Sequence, residues 1–87
     1  MKDLSSLRAE IDQLDKQLWE IIGKRVDVAR QIGEWKHQHG EQIVHPERWQ
    51  QVVEHCLSQG KQHGLSEELV HKVMEALHKE SINVETR

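Results

Sequence analysis

The sequence contains no phenylalanine and no tyrosine, so Trp19, Trp35 and Trp49 are its whole aromatic complement. β-Sheets draw on aromatic and β-branched residues, and this shortage speaks against a sandwich or a barrel. One cysteine, Cys56, excludes an internal disulfide and a zinc site built on paired cysteines. It falls in an apolar helical pattern and reads as a packed thiol rather than a nucleophile. Apolar runs extend only a few residues, far short of the roughly 20 that span a bilayer, so no membrane partner is expected. The stretch Met1-Lys2-Asp3-Leu4 has no apolar signal core, and the expected location is the cytoplasm. Twelve Lys and Arg against fifteen Asp and Glu leave a net charge of −3, which argues against a nucleic-acid partner.

What is present is helical periodicity in a chain of 87 residues, short enough for a single domain over 1–87. Leu7, Ile11, Leu14, Leu18 and Ile21, then Val28, Ile32 and Trp35, alternate in steps of four and three. That is the stripe of one long packed helix over about residues 4–38, with Asp3 as its cap and Gly40 marking its end. Gly23 and Gly33 lie inside it, each costing about 1 kcal/mol relative to Ala. The sole proline, Pro46, opens a second helix over 46–60, with Val52, Val53, Cys56 and Leu57 turned inward and Gly60 at its end. Ser66, followed by Glu67 and Glu68, caps a third helix over 67–85 with the stripe Val70, Val73, Leu77 and Val84. The expected fold is all-α, a three-helix protomer with a long first helix.

The first helix is too long for its own domain. At 1.5 Å per residue it reaches on the order of 50 Å. A compact chain of this length has a radius of gyration of about 12 Å and a diameter near 30 Å. An apolar stripe would therefore overhang the domain unless a partner covered it. The expectation is an intertwined homodimeric helical bundle in which the long helices pack on each other, with Trp19 and Trp35 in the shared core.

The one gap in the first stripe is Arg25, where an apolar side chain is due. A buried Arg needs an anion, on pain of several kcal/mol. Lys36 lies eleven residues on, three helical turns, and projects from nearly the same face, with Ala29 and Ile32 as floor between the two cations. That spacing suits a small dianion. Arg25 could equally pair with a buried Glu or reach solvent along its own stem. On helix three, Ser81 and Glu85 stand four apart, and Ser81 interrupts the apolar run as Arg25 does that of helix one. Polar groups on two facing helices suggest a ligand site in the bundle core. Arg8 lies seventeen residues before Arg25, roughly 25 Å along the helix, so only an antiparallel partner helix could bring it to the same small ligand.

These residues resemble the all-helical chorismate mutase family, chorismate mutase type II. The resemblance rests on Leu7-Arg8-Ala9-Glu10-Ile11-Asp12-Gln13-Leu14-Asp15, then on Arg25 through Lys36 with Ala29, Ile32 and Gly33 at the family's spacing. His45-Pro46-Glu47-Arg48 and Ser81 complete it, in order and over nearly the whole chain. It implies an intertwined dimer with two shared active sites, and an isomerase that turns chorismate into prephenate by an intramolecular Claisen rearrangement without a cofactor. By the same resemblance Arg8 of the partner chain and Arg25 hold the substrate carboxylates. Lys36 hydrogen-bonds the ether oxygen, Arg48 lines the ring end, and Ser81 assists at a carboxylate. The chemistry is consistent with such a set: a pericyclic step needs a folded substrate and a donor at the breaking C–O bond, not a nucleophile or base.

Three positions depart from the family pattern. His45 stands where Asp is usual, Trp49 where Glu is usual, and Glu85 where many members have Gln. Losing the acid at 49 raises isochorismate pyruvate lyase, a relative of this fold that forms salicylate, as the main alternative. A non-catalytic helical dimer that binds an aromatic metabolite is the second. To donate to an ether oxygen, the Glu85 carboxyl must hold its proton, a state that burial favours; the bland reading is that Glu85 frays into solvent. His45 could cap helix two in place of Asp, and Trp49 reads either as core packing or as a lid on the pocket. The seven histidines show no metal-ligand spacing, and no metal is expected.

Overall fold

The computed structural model describes residues 2–87 and contains three helices: α1 (Leu4–His39), α2 (Pro46–Gln62) and α3 (Glu67–Glu85). The all-α expectation holds, and each helix starts where its cap predicts. The Asp3 side chain accepts from the Ser6 amide at 2.8 Å, so α1 begins at once after it. Pro46 occupies the first turn of α2, and Ser66 Oγ accepts from the Leu69 amide at 3.1 Å to open α3. Gly40, at φ 64°, ends α1 in the left-handed conformation that a side chain would disfavour. No helix among the described residues is long and apolar enough to cross a membrane.

The second helix runs two residues past its expected end at about Gly60. α2 continues to Gln62, and the left-handed residue of the following turn is Gly64, at φ 72°. Gly60 stays helical and serves packing instead, because a Cβ there would lie 2.5 Å from Val70 Cγ2. Gly33 has a similar task on α1: a Cβ would meet the Glu85 Cα at 2.7 Å and its carbonyl oxygen at 2.9 Å. The two glycines thus set how closely α3 approaches its neighbours. α3 packs on both α1 and α2, which do not pack on each other.

The core of one chain is slight. Among the described residues Ala29, Val70, Met74 and Val84 are the buried apolar ones, and Met74 takes the inward place expected of Val73, which is exposed. Cys56 is half-buried between α2 and α3. By contrast the α1 stripe from Leu7 to Trp35 lies open, as does Trp19. The molecule measures 56 × 23 × 15 Å with a radius of gyration of 16.2 Å, against about 12 Å for a compact chain of this length. It exposes 7241 Å², where a compact monomer of this mass would expose on the order of 5,300 Å².

Candidate active site

The carboxyl-terminal half of α1, the facing side of α3, the 40–45 loop and the start of α2 enclose a cavity of about 570 Å³. Arg25 and Lys36 project into it from α1 with Ala29 and Ile32 between them, as the helical spacing requires. Ser81 and Glu85 line it from α3, and Arg48 and Trp49 from α2, with His45 at the junction. Arg8 is exposed on the far half of α1 and does not line the cavity.

Each α1 cation is met by a group on α3. Arg25 Nη1 donates to Ser81 Oγ at 2.9 Å, and among the described residues Arg25 has no carboxylate partner, so the pairing with a buried Glu is not what forms. Lys36 Nζ donates to Glu85 Oε1 at 2.8 Å and to the Ile43 carbonyl at 2.6 Å. Glu85 does not fray: it is 7% exposed, and its carbonyl oxygen lies 3.0 Å from His37 Nε2. Lys36 and Glu85, read from sequence as separate ligand contacts, are therefore partners of each other. Through Ile43 the same ammonium ties down the loop that leads into α2.

His45 does not cap α2 with its side chain. Its imidazole turns back, with Nε2 2.8 Å from the Gln42 carbonyl and 3.5 Å from Glu41 Oε2. Histidine reaches farther than aspartate and finds the preceding loop before its own helix. Trp49 is half-buried and forms one wall of the cavity, stacked on His78 with ring centroids 3.8 Å apart and planes 13° from parallel. Trp35 edges the cavity as well, 52% exposed and stacked on His39 with ring centroids 4.0 Å apart.

His78 is the residue that sequence reasoning missed. It shares a stripe with Ser81, Ile82 and Glu85 at spacings of three, four and seven, a signal that was available. Burial pushes its imidazole below the ordinary 6.5; the nearby Glu85 carboxylate opposes this, and the Arg25 guanidinium adds to it. The contribution of Ile43 had no signal, because it is made by a backbone carbonyl. Among the described residues no three of His, Cys, Asp and Glu converge as metal ligands.

The fold thus places a cavity with an apolar floor among three helices, with two cations from α1 and one from α2 in its lining. The chain belongs to the chorismate mutase type II family, whose pattern it matches over residues 7–86. It is 36% identical over 81 residues to the T-protein of Haemophilus influenzae, covering 93% of this chain and 22% of that protein. The 4-amino-4-deoxychorismate mutase of Streptomyces venezuelae is 30% identical over 83 residues, 95% of this chain and 81% of the relative. The chorismate mutase of Methanocaldococcus jannaschii is 27% identical over 77 residues, 88% of this chain and 78% of the relative. The chain thus spans about a fifth of the T-protein and most of the two shorter relatives.

Proposed function

We propose that this chain is a chorismate mutase, an isomerase that serves aromatic amino-acid biosynthesis in the cytoplasm by rearranging chorismate to prephenate. One observation carries the reading. The Lys36 ammonium is held at the cavity by Glu85 and by the Ile43 carbonyl, which occupy two of its three N–H donors and leave one for a ligand. In the rearrangement the ether C–O bond breaks while a C–C bond forms within the same molecule, and no atom enters or leaves. Negative charge gathers on the ether oxygen, and a fixed donor there is worth about 3 kcal/mol. Arg25 and Arg48 supply charge for the two carboxylates, and the cavity walls favour the folded substrate over its extended forms. Ser81 holds the Arg25 fork in place. Glu85 Oε1 accepts from Lys36 and so holds that donor at the cavity.

The reading includes a homodimer. The exposed surface exceeds that of a compact monomer by on the order of 1,900 Å², as much as one subunit of an obligate dimer buries. The excess lies along the open α1 stripe. An antiparallel second copy would cover that stripe and bring its Arg8 to the cavity as a further cation.

Two other substrates have support: the amino analogue, from the activity for which the Streptomyces relative is named, and isochorismate, from the missing acid at Trp49. Incubation with each compound separately decides among them. Prephenate from chorismate supports the proposal. Salicylate and pyruvate from isochorismate point to the lyase, and no reaction with any of them leaves a binding module.

A further inference from the structure

Cations outnumber carboxylates in the cavity lining. It holds the cations Arg25, Lys36 and Arg48 and the carboxylates Glu41 and Glu85. Neither acid belongs to the Trp49–His78 wall. Glu85 is engaged by Lys36 at 2.8 Å, and Glu41 stands at the mouth, 44% exposed and 3.5 Å from His45. On the α2 side the wall is the Trp49–His78 stack, a flat aromatic surface without negative charge. One face of the indole is already covered by the imidazole, which takes up part of the π surface that could attract a cation.

We infer that Trp49 and His78 are specificity-determining residues that favour a cyclic dianion with a neutral ring hydroxyl over the same skeleton with a ring ammonium. The inference rests on the proposed mutase reading and narrows it. A hydroxyl both donates and accepts, and it can exchange a hydrogen bond with the imidazole or the indole N–H. An ammonium only donates. It would bring a further positive charge into a cavity whose cations already outnumber its carboxylates, against a Trp49–His78 wall that offers no carboxylate of its own, which is costly for a desolvated ion. Discrimination here comes from withholding a partner from the wrong ligand as much as from supplying one to the right ligand.

The test compares chorismate with 4-amino-4-deoxychorismate on the full chain, by calorimetric affinity and by kcat/KM. Wild type is expected to favour chorismate by about tenfold or more in both. Trp49→Glu returns a carboxylate to the wall and should shift the ratio toward the amino compound by about tenfold, whereas Trp49→Gln, of the same shape without the charge, should not. Equal or better use of the amino compound by wild type overturns the inference, as does an equal shift in the Glu and Gln variants. If neither compound is turned over while the affinity preference and its charge dependence persist, the specificity role stands and the mutase reading fails. Folding of each variant is checked by its helical circular dichroism.

Discussion

Lys36 on α1 and Glu85 on α3 meet at 2.8 Å across 49 residues of chain, with side chains 16% and 9% exposed. At that depth the pair does more than decorate a surface. Opposite charges so placed compensate each other's desolvation, while loss of one leaves the other stranded. The ammonium also holds the Ile43 carbonyl, so one side chain joins two helices and the loop that carries α2 to the cavity.

Replacing Lys36 with Met removes all three functions. The buried Glu85 carboxylate loses its partner, and stability should fall by about 3–5 kcal/mol in urea unfolding. Prephenate formation should fall by a factor of about 10² to 10³, since the donor to the breaking bond is gone. Near-normal turnover in a folded Lys36→Met variant would remove Lys36 from the mechanism.

Glu85 accepts from the Lys36 ammonium at 2.8 Å, so its part in turnover is to hold that donor at the cavity. Glu85→Ala leaves Lys36 with the Ile43 carbonyl alone and should lower kcat by about tenfold while the helical circular dichroism persists. An unchanged kcat in the folded variant rules out this role.

Gly33 and Gly23 lie ten residues apart on α1 and should respond oppositely to alanine. At Gly33 the new Cβ would press on the Glu85 backbone at 2.7 Å, forcing α3 away and parting Glu85 from Lys36. A loss of about 1–3 kcal/mol is expected, together with reduced kcat. At Gly23 nothing lies within 4 Å, and the position is off the apolar stripe, so alanine should add up to about 1 kcal/mol. Paired urea titrations and rates check both.

His78 should make the fold sensitive to mild acid. Burial, its main influence, holds the folded-state pKa below the ordinary 6.5, so the unfolded chain takes up the proton more readily. The stability contribution is complete above 6.5 and is lost as pH falls through the lower folded value. His78→Phe preserves a ring against Trp49 without the titration, and should lessen the fall in melting temperature between about pH 7 and 5. An unchanged fall would assign the acid sensitivity elsewhere.

The shared site of the proposed dimer is open to complementation. Arg8→Ala and Arg25→Ala chains should each be nearly inactive alone. Mixed and re-associated, half of the dimers combine the two chains, and each of these has one intact site of two. About one site in four should recover. Without recovery in a demonstrated mixed dimer, Arg8 does not cross between subunits.

The helices were legible because their signals are local. Asp3, Pro46 and Ser66 mark starts through their own side chains, and the four-three stripe of α1 follows from 3.6 residues per turn alone. Arg25 and Ser81 were legible as polar intrusions on apolar stripes, and Lys36 and Glu85 by their helical spacing from those two. The packing task of Gly60 was not legible, because a glycine near a helix end and one that admits a neighbour look alike until Val70 is seen against it. His45 was misread because cap preference describes residue type, while reach decides the bond.

By itself the sequence determined three helices, an apolar α1 stripe too long for one small domain, and a row of cations on its inner half. Those properties belong to each helix separately and need no knowledge of what faces it. Only the tertiary structure decided who meets whom: Lys36 with Glu85 and the Ile43 carbonyl, Arg25 with Ser81, Trp49 with His78. Such pairings depend on how closely α3 approaches α1 and α2, which Gly33 and Gly60 set by lacking a side chain. That distance arises between helices and is written in neither one alone.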